Sequence, residues 1–125
     1  MVERIPVTRV VSTPEALDGA AVPPGTIVLR IAPDEAIVLG ETQVEVADPH
    51  AIVFADSGWA GVWLDSTSAA AFLLAECEWE LPSARPAFAQ GMVSHLAAKL
   101  WLEEDRTLIL VPSAMRAELE ARLAH

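Results

Sequence analysis

Three histidines, one cysteine and four tryptophans are the side chains of this sequence with the most chemical potential. His50 and His95 are far apart and have no partners at the spacing of a metal site, and His125 is the last residue. We therefore expect no metal site. Asp48 and His50 could form an acid–base pair, although Asp-Pro more often begins a turn that leaves the histidine in solvent.

The motifs of the common enzyme classes are missing from the sequence. It contains no CxxC, HExxH, GxGxxG or GxSxG pattern and no phosphate-binding loop with its lysine. Ser57 and Ser66 have no histidine at a recognisable spacing, so no catalytic triad is predicted. Cys77 lies between Glu76 and Glu78, without the positive neighbours that activate a thiol, and we expect it in the core or half-buried. The sequence predicts no catalytic residue.

The tryptophans are the best candidates for ligand binding. The alternation over residues 92–102 predicts one long strand with His95, Lys99 and Trp101 on one face, which could line a pocket or form a sheet edge or an interface. Trp63 belongs to an earlier apolar run. Indole rings fill cores, plug the cavities of partner proteins, or stack on flat heterocycles, and the sequence leaves these uses open. If a folate or flavin touches the chain, Trp63, His95 and Trp101 are the expected contacts.

Composition and charge limit the classes of partner. The chain has 125 residues, of which 53% are hydrophobic, yet charged residues interrupt every apolar run well before the roughly 18 residues of a membrane span. The first residues lack the apolar stretch of a signal peptide, so a cytoplasmic location is expected. Eight basic and eighteen acidic residues give a net charge of −10, which disfavours nucleic acid and membrane surfaces as partners. The excess of apolar residues favours a subunit interface and an oligomer.

Apolar periodicity and turn residues predict the elements that must position these side chains. Residues 1–25 are expected to be irregular apart from a two-turn helix that ends at Gly19. Residues 26–40 alternate around Pro33-Asp34-Glu35 and predict a hairpin, followed by a loop at 41–50.

The second half of the chain predicts strands and two helices. Residues 51–65 indicate a second hairpin, or one strand broken at a glycine bulge. A helix capped by one of the hydroxyls at 66–68 follows, then a connection at 80–90, the long strand at 92–102 and its partner at 107–111. A final helix begins near Pro112. The predicted fold class is α+β, an antiparallel or mixed sheet with helices packed on one face, in one domain whose main unit spans residues 26–124.

Several short phrases resemble the gamma subunits of heterotetrameric sarcosine oxidase. Residues 32–40, APDEAIVLG, are similar to a G-P-D-E-W-L-L hairpin, and residues 55–74 are similar to a strand-and-helix passage. Ala89-Gln90-Gly91 resembles the segment whose glycine precedes the next strand, and residues 100–111 resemble the closing hairpin before a last helix. The resemblance covers residues 26–124. It implies the fold of the folate-binding domain of the glycine-cleavage aminomethyltransferases.

The same resemblance implies an accessory role. The aminomethyltransferases contact folate through an aspartate that would fall near His95 or Leu96 here, and neither residue is a carboxylate. In the oxidase the flavins and the folate site belong chiefly to the alpha and beta subunits. We therefore expect a non-catalytic subunit that docks on larger oxidoreductase subunits or self-associates, with tetrahydrofolate or flavin held elsewhere in the complex. A small folate- or flavin-binding module is the alternative.

Overall fold

Within residues 1–124, which the computed structural model describes, nine strands form two antiparallel sheets. The strands are β1 (Glu3–Arg4), β2 (Val7–Val11), β3 (Val28–Ala32), β4 (Glu35–Leu39), β5 (Ile52–Asp56), β6 (Trp59–Asp65), β7 (Ala87–Val93), β8 (Leu96–Leu102) and β9 (Arg106–Pro112). The helices are α1 (Pro14–Asp18), α2 (Ser66–Glu76) and α3 (Arg116–Leu123), and a 3-10 turn (Ser113–Met115) precedes α3. The chain divides into two units, a larger one of residues 1–4 and 58–124 and a smaller one of residues 5–57.

The smaller unit is a four-stranded sheet in the order β3-β4-β2-β5. Its central strand β2 pairs with β4 on one side and β5 on the other. Arg9, in the middle of β2, forms ion pairs with Glu35 of β4 and Asp56 of β5. Val10 of β2 and Leu17 of α1 belong to one buried apolar cluster. Apolar burial and charge pairing therefore both hold β2 at the centre.

The larger unit is a five-stranded sheet in the order β1-β6-β9-β8-β7. Leu73 of α2 and Leu119 of α3 pack with inward side chains of β6, β8 and β9, so both helices cover the same face. The buried cluster contains Val2, Ala60, Val62, Leu73, Ala89, Val93, Leu96, Ala98, Leu100, Leu102, Ile109, Val111 and Leu119. Helices α2 and α3 are thus anchored by leucines that face the sheet.

The α+β class is confirmed, and the sheet is divided in two. The hairpin predicted at 26–40 is present as β3 and β4, and the closing hairpin as β8 and β9. The predicted helix in residues 1–25 is α1, but this segment also contains β1 and β2. Pairing with distant strands orders it, since β2 lies between β4 and β5. Gly91 lies inside β7 and does not precede a strand.

Both alternatives predicted at 51–65, a hairpin and one strand broken at a glycine bulge, are wrong. Strand β5 pairs with β2, whereas β6 pairs with β9 and β1, so the two neighbouring runs belong to different sheets. Asp56-Ser57-Gly58 is therefore a connection between sheets and not a hairpin turn. A hairpin and a connection between two sheets give the same local pattern, because apolar alternation and turn residues do not specify the partner of each strand.

The long strand predicted at 92–102 is also wrong. Strands β7 and β8 form a hairpin whose two-residue turn is Ser94-His95. Both turn residues have positive φ, 51° and 66°, as a type I′ turn requires. Such turns usually contain Asn-Gly, so Ser-His gives little sequence signal. His95 is consequently a turn residue and does not lie on a strand face.

We expect His95→Gly to stabilise the protein. His95 holds a left-handed conformation that costs a residue with a Cβ roughly 1–2 kcal/mol, while glycine adopts it freely at an entropic cost of about 1 kcal/mol or less in the unfolded chain. The net gain should be up to ~1 kcal/mol in urea unfolding. His95→Ala is the control, because it removes the imidazole and keeps the strain. An equal gain in both variants would contradict the backbone explanation.

Helix α2 begins at a carboxylate. The side chain of Asp65 accepts hydrogen bonds from the backbone nitrogen (2.8 Å) and the hydroxyl (3.0 Å) of Ser68. The prediction that a hydroxyl at 66–68 caps the helix is therefore wrong. Asp65 is the N-cap, and Ser68 donates to it. These hydrogen bonds lower the pKa of Asp65, because only the ionised carboxylate accepts both.

We expect Asp65→Ala to lower the melting temperature by about 3 °C, because the first turn of α2 loses its acceptor. The folded pKa of Asp65 lies below its unfolded value of 3.8, so its contribution is complete above pH 3.8 and is lost as the pH falls through the folded pKa. The difference between wild type and variant in thermal scans should shrink accordingly in acid. Glu80→Ala, which removes an exposed carboxylate from the connection after α2, is the control. A difference that stays constant down to pH 2 would contradict the assignment.

Candidate functional site

The outward surface of α2 is apolar although it is exposed to solvent. The helix carries no charged side chain before its last residue, Glu76. Leu73 is 5% exposed and packs into the core, whereas its neighbour Leu74 is 88% exposed. Surface helices normally place polar residues on that side. The α2 face, as we define it, consists of the exposed residues Ala70, Ala71, Leu74 and Ala75.

A cleft of about 420 Å³ opens on one side of the α2 face. Its walls come from α2, from the connection at 77–86 and from the end of the β8–β9 hairpin, and Trp79 is one of the apolar side chains that line it. Arg85 lies on the wall, and its guanidinium donates to the carbonyl oxygens of Pro82 (2.7 Å) and Ala84 (2.8 Å). Arg85 therefore uses its guanidinium to order its own loop.

Glu103 also lines this cleft, and its carboxylate is likewise engaged in hydrogen bonds. Its carboxylate accepts from Arg106 Nε (2.8 Å) and from Trp101 Nε1 (2.8 Å). The hydrogen bond from Arg106 is the main cause that lowers the pKa of Glu103, and the indole donor adds to it. A carboxylate held ionised by two donors is poorly suited to general acid–base work near neutral pH. The polar groups of this cleft thus stabilise the β8–β9 end.

A second cleft, of about 480 Å³, lies on the other side of α2. It is bounded by α2, by β6 and by the end of α3, and Phe72, Leu123 and Met1 contribute apolar surface. Glu76 and Arg122 bring opposite charges to its lining. The α2 face is therefore an apolar ridge between two clefts whose linings combine apolar and charged side chains.

Two of the predicted ligand-binding residues share a face of the five-stranded sheet. Trp63 of β6 and Trp101 of β8 both pair with Leu108 of β9. Residues that pair across antiparallel strands point to the same face, so the two indoles lie in one row, on Cα atoms about 10 Å or two strand spacings apart. The guanidinium of Arg106 lies 3.8 Å from the centre of the Trp63 ring. One face of that indole is therefore already in a cation–π contact.

The third predicted residue, His95, is not brought to this row. It lies in the β7–β8 turn, six residues before Trp101, a distance of about 20 Å along an extended strand. Lys99 and Trp101 do share a face, as predicted, and Lys99 Nζ lies 5.7 Å from the centre of the Trp59 ring. The three residues Trp63, His95 and Trp101 therefore do not form one platform.

The remaining chemical groups are dispersed. Among residues 1–124, no three side chains of histidine, cysteine, aspartate or glutamate lie close enough together to hold a metal ion, and His125 lies outside the described residues. Cys77 is half-buried, as predicted, and its Sγ lies 3.4 Å from the carbonyl oxygen of Trp79. This thiol lines the first cleft beside apolar neighbours.

Asp48 and His50 form the turn that the sequence predicts. Asp48 accepts from the hydroxyl of Ser12 (2.6 Å) and from the backbone nitrogen of His50 (2.9 Å). The hydrogen bond from Ser12 is the main cause that lowers the pKa of Asp48. The side chain of His50 is exposed. The carboxylate thus fixes the loop before β5.

The sequence analysis missed the α2 face. A signal was present, because residues 66–75 contain no charge and three consecutive alanines, and an amphipathic helix would show a polar stripe. The predicted helix came with no expectation for its outward residues.

Comparisons with known proteins identify no relative of this chain. No protein-family model matches the chain, and no significant match was found among curated proteins or among solved structures. Within residues 1–124, none of the helices has both the length and the apolar character needed to cross a bilayer.

Proposed function

We propose that this chain is a non-catalytic accessory subunit that docks on a larger protein through the α2 face. The observation that carries the proposal is Leu74, which is 88% exposed on a helix that has no charged side chain before Glu76 and lies between two clefts. Contiguous exposed apolar surface bordered by polar residues is typical of protein interaction sites. Arg85 and Glu103 of the first cleft are engaged in structural hydrogen bonds, which supports docking over catalysis.

The α2 face suggests what its partner presents. Alanines at 70, 71 and 75 allow a partner backbone to approach the helix closely, and Leu74 projects as a single large side chain. Such a ridge fits a concave apolar groove. The chain has a net charge of −10, and exposed Glu78 and Glu104 lie beside the α2 face and the first cleft. The partner groove is therefore bordered by basic residues, which would speed association.

The resemblance to sarcosine oxidase gamma subunits names the class of partner. Under this proposal the chain docks on larger oxidoreductase subunits that hold flavin and folate, and its fold is a variant of the folate-binding aminomethyltransferase domain. Two features support it: the similar passage at residues 55–74 ends in α2, and the closing hairpin is followed by a last helix. The chain itself supplies contact surface.

The test is reconstitution with defined subunits. Purified chain is mixed with flavoprotein subunits encoded beside its gene, and the mass of the complex is measured by size-exclusion chromatography with light scattering. We expect a stoichiometric complex that Leu74→Glu weakens by at least tenfold, because a charge at the centre of the apolar face would be buried unpaired.

Ala47→Glu is the matched control, since it adds the same charge at an exposed loop residue and should leave the complex intact. Circular dichroism should show both variants folded. Equal binding by wild type and Leu74→Glu would remove the α2 face from the proposal. No complex with any flavoprotein subunit would contradict the accessory role itself.

The alternative is a small folate- or flavin-binding module, and it is supported by the row that contains Trp63 and Trp101. Arg106, in contact with Trp63, would attract the anionic part of such a ligand. Titration with a reduced folate or a flavin should then quench tryptophan emission saturably, and Trp101→Ala should weaken the effect. Because His95 lies in the turn, His95→Ala should leave it unchanged. Quenching that is linear in ligand concentration would reject this alternative.

A further inference from the structure

Strand β5 is a sheet edge without the usual protection. Of the four edges formed within residues 1–124, β1 has only two residues and β3 has an irregularity between Arg30 and Ala32. On β7, the carbonyl of Met92 already accepts from Trp79 Nε1 at 2.7 Å. Proteins shorten, bend, cover or charge their edge strands because unpaired edges attract other strands. Strand β5 has no bulge, proline or charge before Asp56.

The side chains of β5 are apolar and exposed. Ile52 is 57% exposed, and Val53 and Phe54 are each 43% exposed. Since side chains alternate along a strand, Ile52 and Phe54 lie on one face of the sheet and Val53 lies on the other. Apolar surface is thus exposed on both faces at one open edge.

The hydrogen bonds around β2 show which backbone groups of β5 face outward. Gly40 N donates to the carbonyl of Pro6, and Ser12 N donates to Asp34 O, so the even-numbered residues at 6–12 point towards the β3–β4 hairpin. The odd-numbered residues of β2 therefore bond to their partners Ile52, Phe54 and Asp56. The amides and carbonyls of Val53 and Ala55 point to the open edge.

The sequence around Val53 is complementary to itself in the antiparallel direction. In His50-Ala51-Ile52-Val53-Phe54-Ala55-Asp56, a two-fold axis at Val53 pairs valine with valine, isoleucine with phenylalanine and alanine with alanine. It also brings the imidazole of His50 opposite the carboxylate of Asp56. The centre of the pairing is wholly apolar.

We propose that β5 pairs with β5 of a second copy of this chain, antiparallel and centred on Val53, to join two four-stranded sheets into one of eight strands. Val53 exchanges both backbone hydrogen bonds with Val53 of the second copy. Each Ala55 amide donates to an Ala51 carbonyl, because the Ala51 amide is already bonded to Asp48 O at 3.2 Å. The result is an isologous dimer with four intermolecular backbone hydrogen bonds.

This pairing differs from the docking proposed for the α2 face and does not depend on it. About seven residues per copy take part, fewer than the ~20–30 per side of a standard interface, so the dimer should be reversible and dependent on concentration. Leu74→Glu should leave it intact. Failure of either proposal can therefore be recognised without the other.

Disulfide trapping tests the register. In a Cys77→Ser background, Val53→Cys places two thiols on residues whose Cα atoms are ~5.5 Å apart across the axis, within the range of a disulfide. Ala55→Cys is the matched control on the same strand, because its two copies lie about 14 Å apart. We expect oxidation to give a covalent dimer at least tenfold faster with Val53→Cys. Equal rates, or no dimer from Val53→Cys, would overturn the proposal.

Edge blocking gives an independent measurement. Val53→Pro removes an amide that points outward, so it should abolish the concentration-dependent rise in mass in light scattering while the β2–β5 pairing remains. Val53→Lys should have the same effect by adding a charge, and it keeps the experiment decisive if the proline variant does not fold. A wild-type mass that stays monomeric up to millimolar concentration, or a dimer unchanged by Val53→Lys, would contradict the proposal.

Discussion

Leu119→Ala should destabilise the protein by about 2–5 kcal/mol. Leu119 is 1% exposed and is the only residue of α3 in the buried cluster of the larger unit, as far as residues 1–124 describe it. Truncation removes apolar burial and leaves a cavity that neighbouring side chains fill only partly. Because α3 has only eight residues, it has little stability of its own and depends on this contact. Urea unfolding monitored by circular dichroism measures the loss.

Leu74→Ala is the matched control for this prediction. It is the same substitution in another helix, at a side chain 88% exposed, and should change the free energy of unfolding by less than about 0.5 kcal/mol. The contrast between the two leucines therefore isolates burial from helix propensity. A loss below 1 kcal/mol for Leu119→Ala would show that α3 is held by other contacts.

Gly91→Ala should cost about 1–3 kcal/mol, although it adds a single methyl group. A Cβ at this position would lie 2.8 Å from Cε2 and Cζ2 of the Trp79 indole, which packs flat on the strand. Moving the ring aside would break the 2.7 Å hydrogen bond from Trp79 Nε1 to the carbonyl of Met92. Thermal and urea unfolding should both report the loss.

Two variants separate this clash from a general effect of alanine. Gly19→Ala has no heavy atom closer than 4.0 Å to the new Cβ and should be neutral within about 0.5 kcal/mol. Combining Gly91→Ala with Trp79→Leu should cost less than the sum of the two single changes, because the smaller side chain makes room. Strict additivity would contradict a direct contact.

Local sequence signals predicted the two hairpins whose turns contain typical turn residues. Pro33-Asp34 lies between two alternating runs, and Glu103 to Asp105 interrupts two others, so β3–β4 and β8–β9 follow from turn propensity and period. Asp56-Ser57-Gly58 has the same kind of residues and joins different sheets. Strand pairing there is decided by residues distant in the sequence, since β5 pairs with β2 and β6 pairs with β9.

The β7–β8 turn shows a different limit. The inward residues of β7 have odd numbers, such as Val93, and those of β8 have even numbers, such as Leu96. This change from odd to even numbers marks the two-residue turn. Ser94-His95, however, lacks the residues that usually adopt positive φ, so the alternation of residues 92–102 was interpreted as one continuous strand. The predicted place of His95 beside Trp101 failed for this reason.

The surfaces could be predicted only in part. For Trp63 and Trp101 the sequence leaves open a place in the core, at an interface or against a ligand, and their common row follows once both are paired with β9. The exposure of Leu74 and Phe54 depends on what the rest of the chain leaves uncovered. Composition predicted an excess of apolar surface, but not its location on α2 and β5.

The pairing of β1 with β6 affects how the protein can be built during synthesis. Arg4 lies opposite Ala60, so the chain leaves the five-stranded sheet and returns to it at neighbouring points, with residues 5–57 between them. During synthesis, residues 5–57 leave the ribosome before β6, the pairing partner of β1, has been made. The smaller sheet can therefore form first and shorten the loop that the later strands must close, much as an inserted domain does in a host protein.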